Sequence, residues 1–78
     1  MTHERIESKP TVMFGKPVIR GTRIPVDRVL RMLGSDMMPD EITEALPALE
    51  REDVLAAASY AADYVSGEEV VPSEAARP

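Results

Sequence analysis

Cysteine is absent from these 78 residues, and His3 is the only histidine. No disulfide can staple the fold and no thiolate can hold a metal. A single imidazole argues equally against a zinc site. No apolar run is long enough to span a bilayer, and no signal-peptide pattern is present. The expectation is a cytoplasmic protein with no membrane contact. A phosphate-cradling loop is missing too, because Gly15 and Gly21 are too far apart and no Lys-Ser/Thr pair follows them. There is no nucleophile elbow and no Ser/His pair. Asp40, Glu41 and Glu44 stand beside no His, Lys or Cys, and helix capping and solvation account for Asp36 and Asp40. These absences lead us to expect no enzyme activity, no cofactor and no metal. A chain this short buries a modest share of its surface and often needs a staple. With disulfides and metals excluded, oligomerisation is the one left, and a homodimer is expected.

What is present is concentrated in one run, Gly15-Lys16-Pro17-Val18-Ile19-Arg20-Gly21-Thr22-Arg23-Ile24-Pro25-Val26. Its four Gly/Pro residues dictate a turn, a short strand, a second bend and a helix entry. It also holds three cations in a chain whose net charge is −5. That average conceals a bipolar molecule: residues 1–35 carry +4 and residues 36–78 carry −9. Such asymmetry often accompanies two different partners. The basic half suits phosphate, and the acidic half suits a basic protein.

The pattern divides the chain into a flexible terminus (1–8), a folded domain (9–67) and an acidic, Pro-containing tail (68–78) expected to be disordered alone. Thr11-Val12-Met13 and Pro17-Val18-Ile19 read as a β-hairpin around Phe14-Gly15-Lys16. A lone hairpin is marginal in water, so this one is expected to lie on the helices or to pair with its copy in the dimer. Val26, Val29, Leu30 and Leu33 then make an apolar stripe on a first helix that starts at Pro25 and ends at Gly34. A second helix runs from about Pro39 to Ala45, with Ile42 inward and Leu46 and Leu49 plugging the following turn into the core. A third runs from Glu50 or Arg51 to about Val65, with Val54, Ala57, Ala58, Ala61 and Val65 inward and Gly67 as the stop. Two short helices joined by four residues have the length of a helix-turn-helix.

Gly21-Thr22-Arg23-Ile24-Pro25, with Pro39-Asp40-Glu41-Ile42, Pro47-Ala48-Leu49 and Glu52-Asp53-Val54, resembles the domain-of-unknown-function 433 (DUF433) family over roughly residues 5–65. The resemblance implies a mostly α fold: a homeodomain-like, three-helix (helix-turn-helix) core with the N-terminal β-hairpin. Several members resemble antitoxins encoded beside PIN-like ribonuclease toxins. The resemblance therefore implies an antitoxin-like, DNA-binding transcription regulator that also neutralises a PIN-like toxin by blocking its cleft. The alternative is a protein-interaction module that binds a partner nuclease without touching DNA. Phe14 stands where the family commonly has a second glycine. Met38 and Glu50 stand where Ser or Thr usually caps helices two and three, and loss of a preferred cap costs about 1 kcal/mol.

The candidate DNA contacts are Lys16, Arg20, Arg23, Arg28, Arg31 and Arg51, since cations set phosphate affinity and arginine reads guanine edges. Arg20 or Arg23 can instead pair with Asp27 or Glu41, Arg23 being the more enclosed, and Arg51 can pair with Glu50 or a neighbour. The early turns of helix three carry Glu52 and Asp53, which phosphates repel. Any DNA binding is therefore expected to rest on the hairpin and helix one. Tyr60 and Tyr64, four apart, are either a partner anchor or core. Val70 and Val71 in the tail are the other partner-binding candidates. Met37 and Met38 read as core filler.

Overall fold

Pro25 and the apolar stripe behind it start the first helix, α1 (Val26–Gly34), where the sequence pattern puts it. The computed structural model describes residues 2–67 and 71–73, with side-chain surroundings for residues 3–67. Helix α2 (Pro39–Ala45) and helix α3 (Arg51–Ser66) follow. Neither starts on a preferred capping side chain. Instead an acid one turn in reaches back: Glu41 Oε1 accepts the Met38 N–H at 2.7 Å and Asp53 Oδ2 accepts the Glu50 N–H at 2.8 Å. This is the returning half of a capping box, and it satisfies a donor that a helix start leaves open.

The N-terminal antiparallel hairpin is present, but its first strand is not residues 11–13. Strand β1 is Thr2–Glu7, in the segment expected to be a flexible terminus, and it pairs with β2 (Val18–Ile19) through Ile6↔Ile19 and Glu7↔Val18. Residues 13–15 form a tight turn instead. Met13, Phe14 and Gly15 have φ of 51°, 58° and 83°. The turn is closed by hydrogen bonds from Gly15 N–H to Val12 O and from Lys16 N–H to Met13 O, and the Ser8 hydroxyl donates to Gly15 O. Two consecutive non-glycine residues in the left-handed region cost about 1–3 kcal/mol each.

The tail also departs from expectation. Val71–Ser73 forms strand β3, parallel to β1, so the sheet order is β2-β1-β3 with β1 in the middle. Val70 and the rest of the proposed tail lie outside the described residues.

The Gly-Thr-Arg-Ile-Pro bend is a clasp. Gly21 takes φ 79°, which glycine adopts without penalty. The Thr22 hydroxyl donates to Ile19 O at 2.7 Å and accepts the Ile24 N–H at 3.0 Å. Ile19 N–H then donates to Ile24 O, Val26 N–H donates to Pro17 O, and Val18 bridges to Pro25. The outer edge of β2 is thus taken by the chain's own residues 24–26. The expected pairing of hairpins across a dimer has no free β2 edge to use.

The core is Ile6, Ile19, Val26, Val29, Ile42, Leu49, Val54, Ala57 and Tyr60. The buried face of α3 is Asp53, Val54, Ala57 and Tyr60, whereas Ala58 and Val65, expected inside, face solvent. Asp53 shares the buried face because it accepts the Glu50 N–H and a hydrogen bond from Arg5. Met37 packs on the core, but Met38 is exposed at the start of α2.

Candidate functional site

The six candidate cations are dispersed. Lys16 Nζ lies 3.3 Å from Asp27 Oδ2 on the first turn of α1, with both groups half-exposed. An Arg20 guanidinium N–H donates to Glu4 O at 3.0 Å, and its cleft is shared with Glu4, Glu50 and Asp53. Arg20 therefore pairs with neither Asp27 nor Glu41, and it stands in a mixed-charge cleft where Arg5 already engages Glu50 and Asp53. Arg51 is tied to Asp40 at 3.1 Å, not to Glu50. Arg23 is exposed on the clasp, and Arg28 and Arg31 share the exposed side of α1. These last three make no ion pair among the described residues.

The clasp itself is not an anion cradle awaiting a ligand. The Gly21 N–H points at the buried Glu7 carboxylate, 3.1 Å away, and Lys9 sits 3.7 Å from the other oxygen. The chain's own acid fills the place a phosphate would need. Among the described residues no group of three or more His, Cys, Asp or Glu side chains could hold a metal ion. None of the described helices is long and apolar enough to cross a membrane.

The two tyrosines separate. Tyr60 is buried and meets His3 edge-on, with ring centroids 5.3 Å apart. Tyr64 is 67% exposed. Burial pushes the Tyr60 phenol above its ordinary value of 10.0, and Tyr64 adds to the shift by charge repulsion. The folded chain then holds this proton to higher pH than the unfolded chain does. Stability should therefore fall as pH rises above about 10, because ionisation favours the unfolded state. Tyr60→Phe should flatten that alkaline slope, read by denaturant titration on either side of the phenol window.

Between α1 and α3 lies an apolar groove of about 260 Å³, lined by Pro17, Val26, Leu30, Tyr60, Tyr64 and Val65. Beyond it the outer face of α3 carries Leu55, Ala58, Ser59, Ala62, Val65 and Ser66, bordered on one side by Glu52 and by Asp63, which His3 engages. Leu55 is 50% exposed and Val65 85%. The spacing of Leu55, Ala58, Ala62 and Val65 makes one continuous stripe. The sequence reading missed Leu55 because it falls outside the core stripe. The alanines, uninformative about burial in themselves, hid the second face.

The sequence profile of the family described as "Protein of unknown function (DUF433)" matches residues 6–61. This chain belongs to the DUF433 family. An uncharacterized protein, y4eO, from Sinorhizobium fredii (strain NBRC 101917 / NGR234) is 36% identical over 58 residues, which is 74% of this chain. The chain spans only 26% of that relative's length. The crystal structure of a DUF433 member from Anabaena variabilis ATCC 29413 superposes with a TM-score of 0.74 at 30% identity, covering 81% of this chain and 62% of the other. The DUF433 match spans β2, the clasp, α1, α2 and the start of α3 through Ala61, so the clasp and the helices it organises are family features.

Proposed function

We propose that this chain is an antitoxin-like protein-interaction module that neutralises a partner nuclease of the PIN-like type by docking on it. The observation that carries this reading is the outer face of α3. In the helix-turn-helix picture α3 would enter the major groove, where cations and amides are needed. Here the face offers Leu55, Ala58, Ala62 and Val65, and Arg51 at its start is tied to Asp40. An uncharged helical stripe suits a hydrophobic groove on a protein. The surrounding net charge of −5 complements a basic, RNA-binding surface.

The test is to read the neighbouring genes for a PIN-like nuclease and to co-express this chain with it. The wild type should co-purify with the nuclease and suppress its RNA cleavage. Ala58→Arg, at an exposed position, should weaken the complex by about tenfold or more without unfolding the chain. Equal binding by Ala58→Arg would refute the assignment of this face.

The second reading is DNA binding by Arg23, Arg28 and Arg31, favoured because their guanidinium groups have no carboxylate partner among the described residues. It requires a steep loss of affinity with added salt. A gel shift on the upstream DNA should weaken in Arg28→Ala and Arg31→Ala if this reading holds. If those variants bind like the wild type, or if nothing binds at low salt, only the protein-docking role stands.

A further inference from the structure

Phe14 is 99% exposed, at the tip of the 13–15 turn. A large aromatic side chain fully in water on left-handed backbone is unfavourable twice over in the free monomer. The turn is nevertheless built to hold it there by the two backbone hydrogen bonds and the Ser8 hydroxyl described above. Strain of this kind gathers at ligand clamps and binding sites.

Beside the turn lies the α1–α3 groove. Pro17, three residues after Phe14, lines it, and Lys16 reaches Asp27, which flanks it. The groove is apolar, and at about 260 Å³ it is roomier than the dry cavity of about 150 Å³ that already admits a benzene ring. Phe14 does not enter its own groove. Residues 71–73 pair with β1, so that part of the tail is committed elsewhere.

From this we infer that the chain forms a two-fold homodimer in which Phe14 of each copy seats in the α1–α3 groove of the other. A knob and a hole side by side on one face are self-complementary under a two-fold axis, which lets each copy give and receive. Lys16 beside the knob and Asp27 beside the groove already pair within each copy at 3.3 Å, so the seam places no unpaired charge next to the buried ring. Each phenylalanine contributes about 150–250 Å² of buried surface, and Tyr64 and Val65 add to it. The interface avoids the β2 edge and shares only Val65 with the docking stripe proposed above, leaving Leu55, Ala58 and Ala62 on α3 open for another partner.

Sedimentation equilibrium and a photo-cross-link together test this. The wild type should be a dimer, and Phe14→Gly should weaken dimerisation by about tenfold or more. Glycine accepts φ 58° freely, so this variant should fold at least as stably as the wild type, and loss of the dimer cannot then be blamed on unfolding. Tyr64→Ala should weaken the dimer from the groove side. With a benzophenone amino acid at position 14, mixed light and isotope-labelled copies should give light–heavy cross-links to the segment holding Tyr60–Val65. The proposal is overturned by a wild type that stays monomeric at its highest soluble concentration. It is equally overturned by a dimer that Phe14→Gly leaves intact, or by cross-links that fall outside the groove or on a different protein.

Discussion

Removing residues 1–7 is expected to unfold this domain, not to trim a loose end. Strand β1 is the middle strand of the sheet, so its loss removes the pairing of β2 and of β3 together. Ile6 is fully buried, and truncating such a residue even to alanine costs about 2–5 kcal/mol. The deletion also takes His3 from Asp63 (2.8 Å), Arg5 from Asp53 (2.9 Å) and Glu7 from the Gly21 N–H. Asp53 is then left buried without its cation. A 78-residue domain has about 4–12 kcal/mol of net stability at the usual value per residue. The Ile6 loss alone is about half of that reserve, and the lost sheet pairing and the unpaired Asp53 come on top of it. The truncated chain should show no cooperative thermal transition by circular dichroism, while Ile6→Ala should keep one at a lowered midpoint. A sharp, wild-type-like melt of the truncated chain would show that β1 is dispensable.

No local pattern announces this strand. Thr-His-Glu-Arg-Ile-Glu has one aliphatic residue and no alternation. Its Arg5 and His3 side chains are held by partners 48 and 60 positions away, on α3, and its Glu7 by the Gly21 N–H. Periodicity reports what neighbours in sequence share, so it locates α1, α2 and α3 well and is silent about a strand stabilised by remote side-chain hydrogen bonds. The phase of α3 is obscure for a related reason. Alanines at 57, 58, 61 and 62 barely distinguish one face from another, and the decisive residue is a charged one, Asp53, in a buried place.

The candidate site was legible as residues but not as an arrangement. Cations in the 15–31 stretch stand out by type, yet what each can do depends on the acid that folding brings to it. Asp27 takes Lys16, Asp40 takes Arg51, and the backbone of Glu4 takes Arg20. The Gly-Thr-Arg-Ile-Pro signature, the most specific string in the chain, encodes a bend that closes on Glu7, and the apolar groove lined by the flanking Pro17 and Val26 arises only when α3 packs on α1. The exposed, uncharged side of α3 could not be read without knowing which side was buried.

Asp53→Ala is expected to destabilise the fold by about 2 kcal/mol, and Asp53→Asn by roughly half as much. One carboxylate does two jobs here: Oδ2 accepts the Glu50 N–H at 2.8 Å and starts α3, while Oδ1 accepts from Arg5 at 2.9 Å and fastens β1 to that helix. Alanine removes both and leaves the Glu50 amide without its acceptor. Asparagine retains a neutral acceptor for the amide but no longer attracts the guanidinium, whose pKa the Asp53 hydrogen bond raises further above its ordinary high value. The partner side is unequal. Arg5 is half-exposed, so water replaces what it loses, and an exposed ion pair stabilises little. Arg5→Ala should therefore lower the melting temperature less than either Asp53 variant. In a double-mutant cycle the Arg5–Asp53 coupling should account for only part of the Asp53→Ala loss, the remainder belonging to the helix start. Equal losses for Arg5→Ala and Asp53→Ala would show instead that the ion pair alone fastens β1, with no share for the cap.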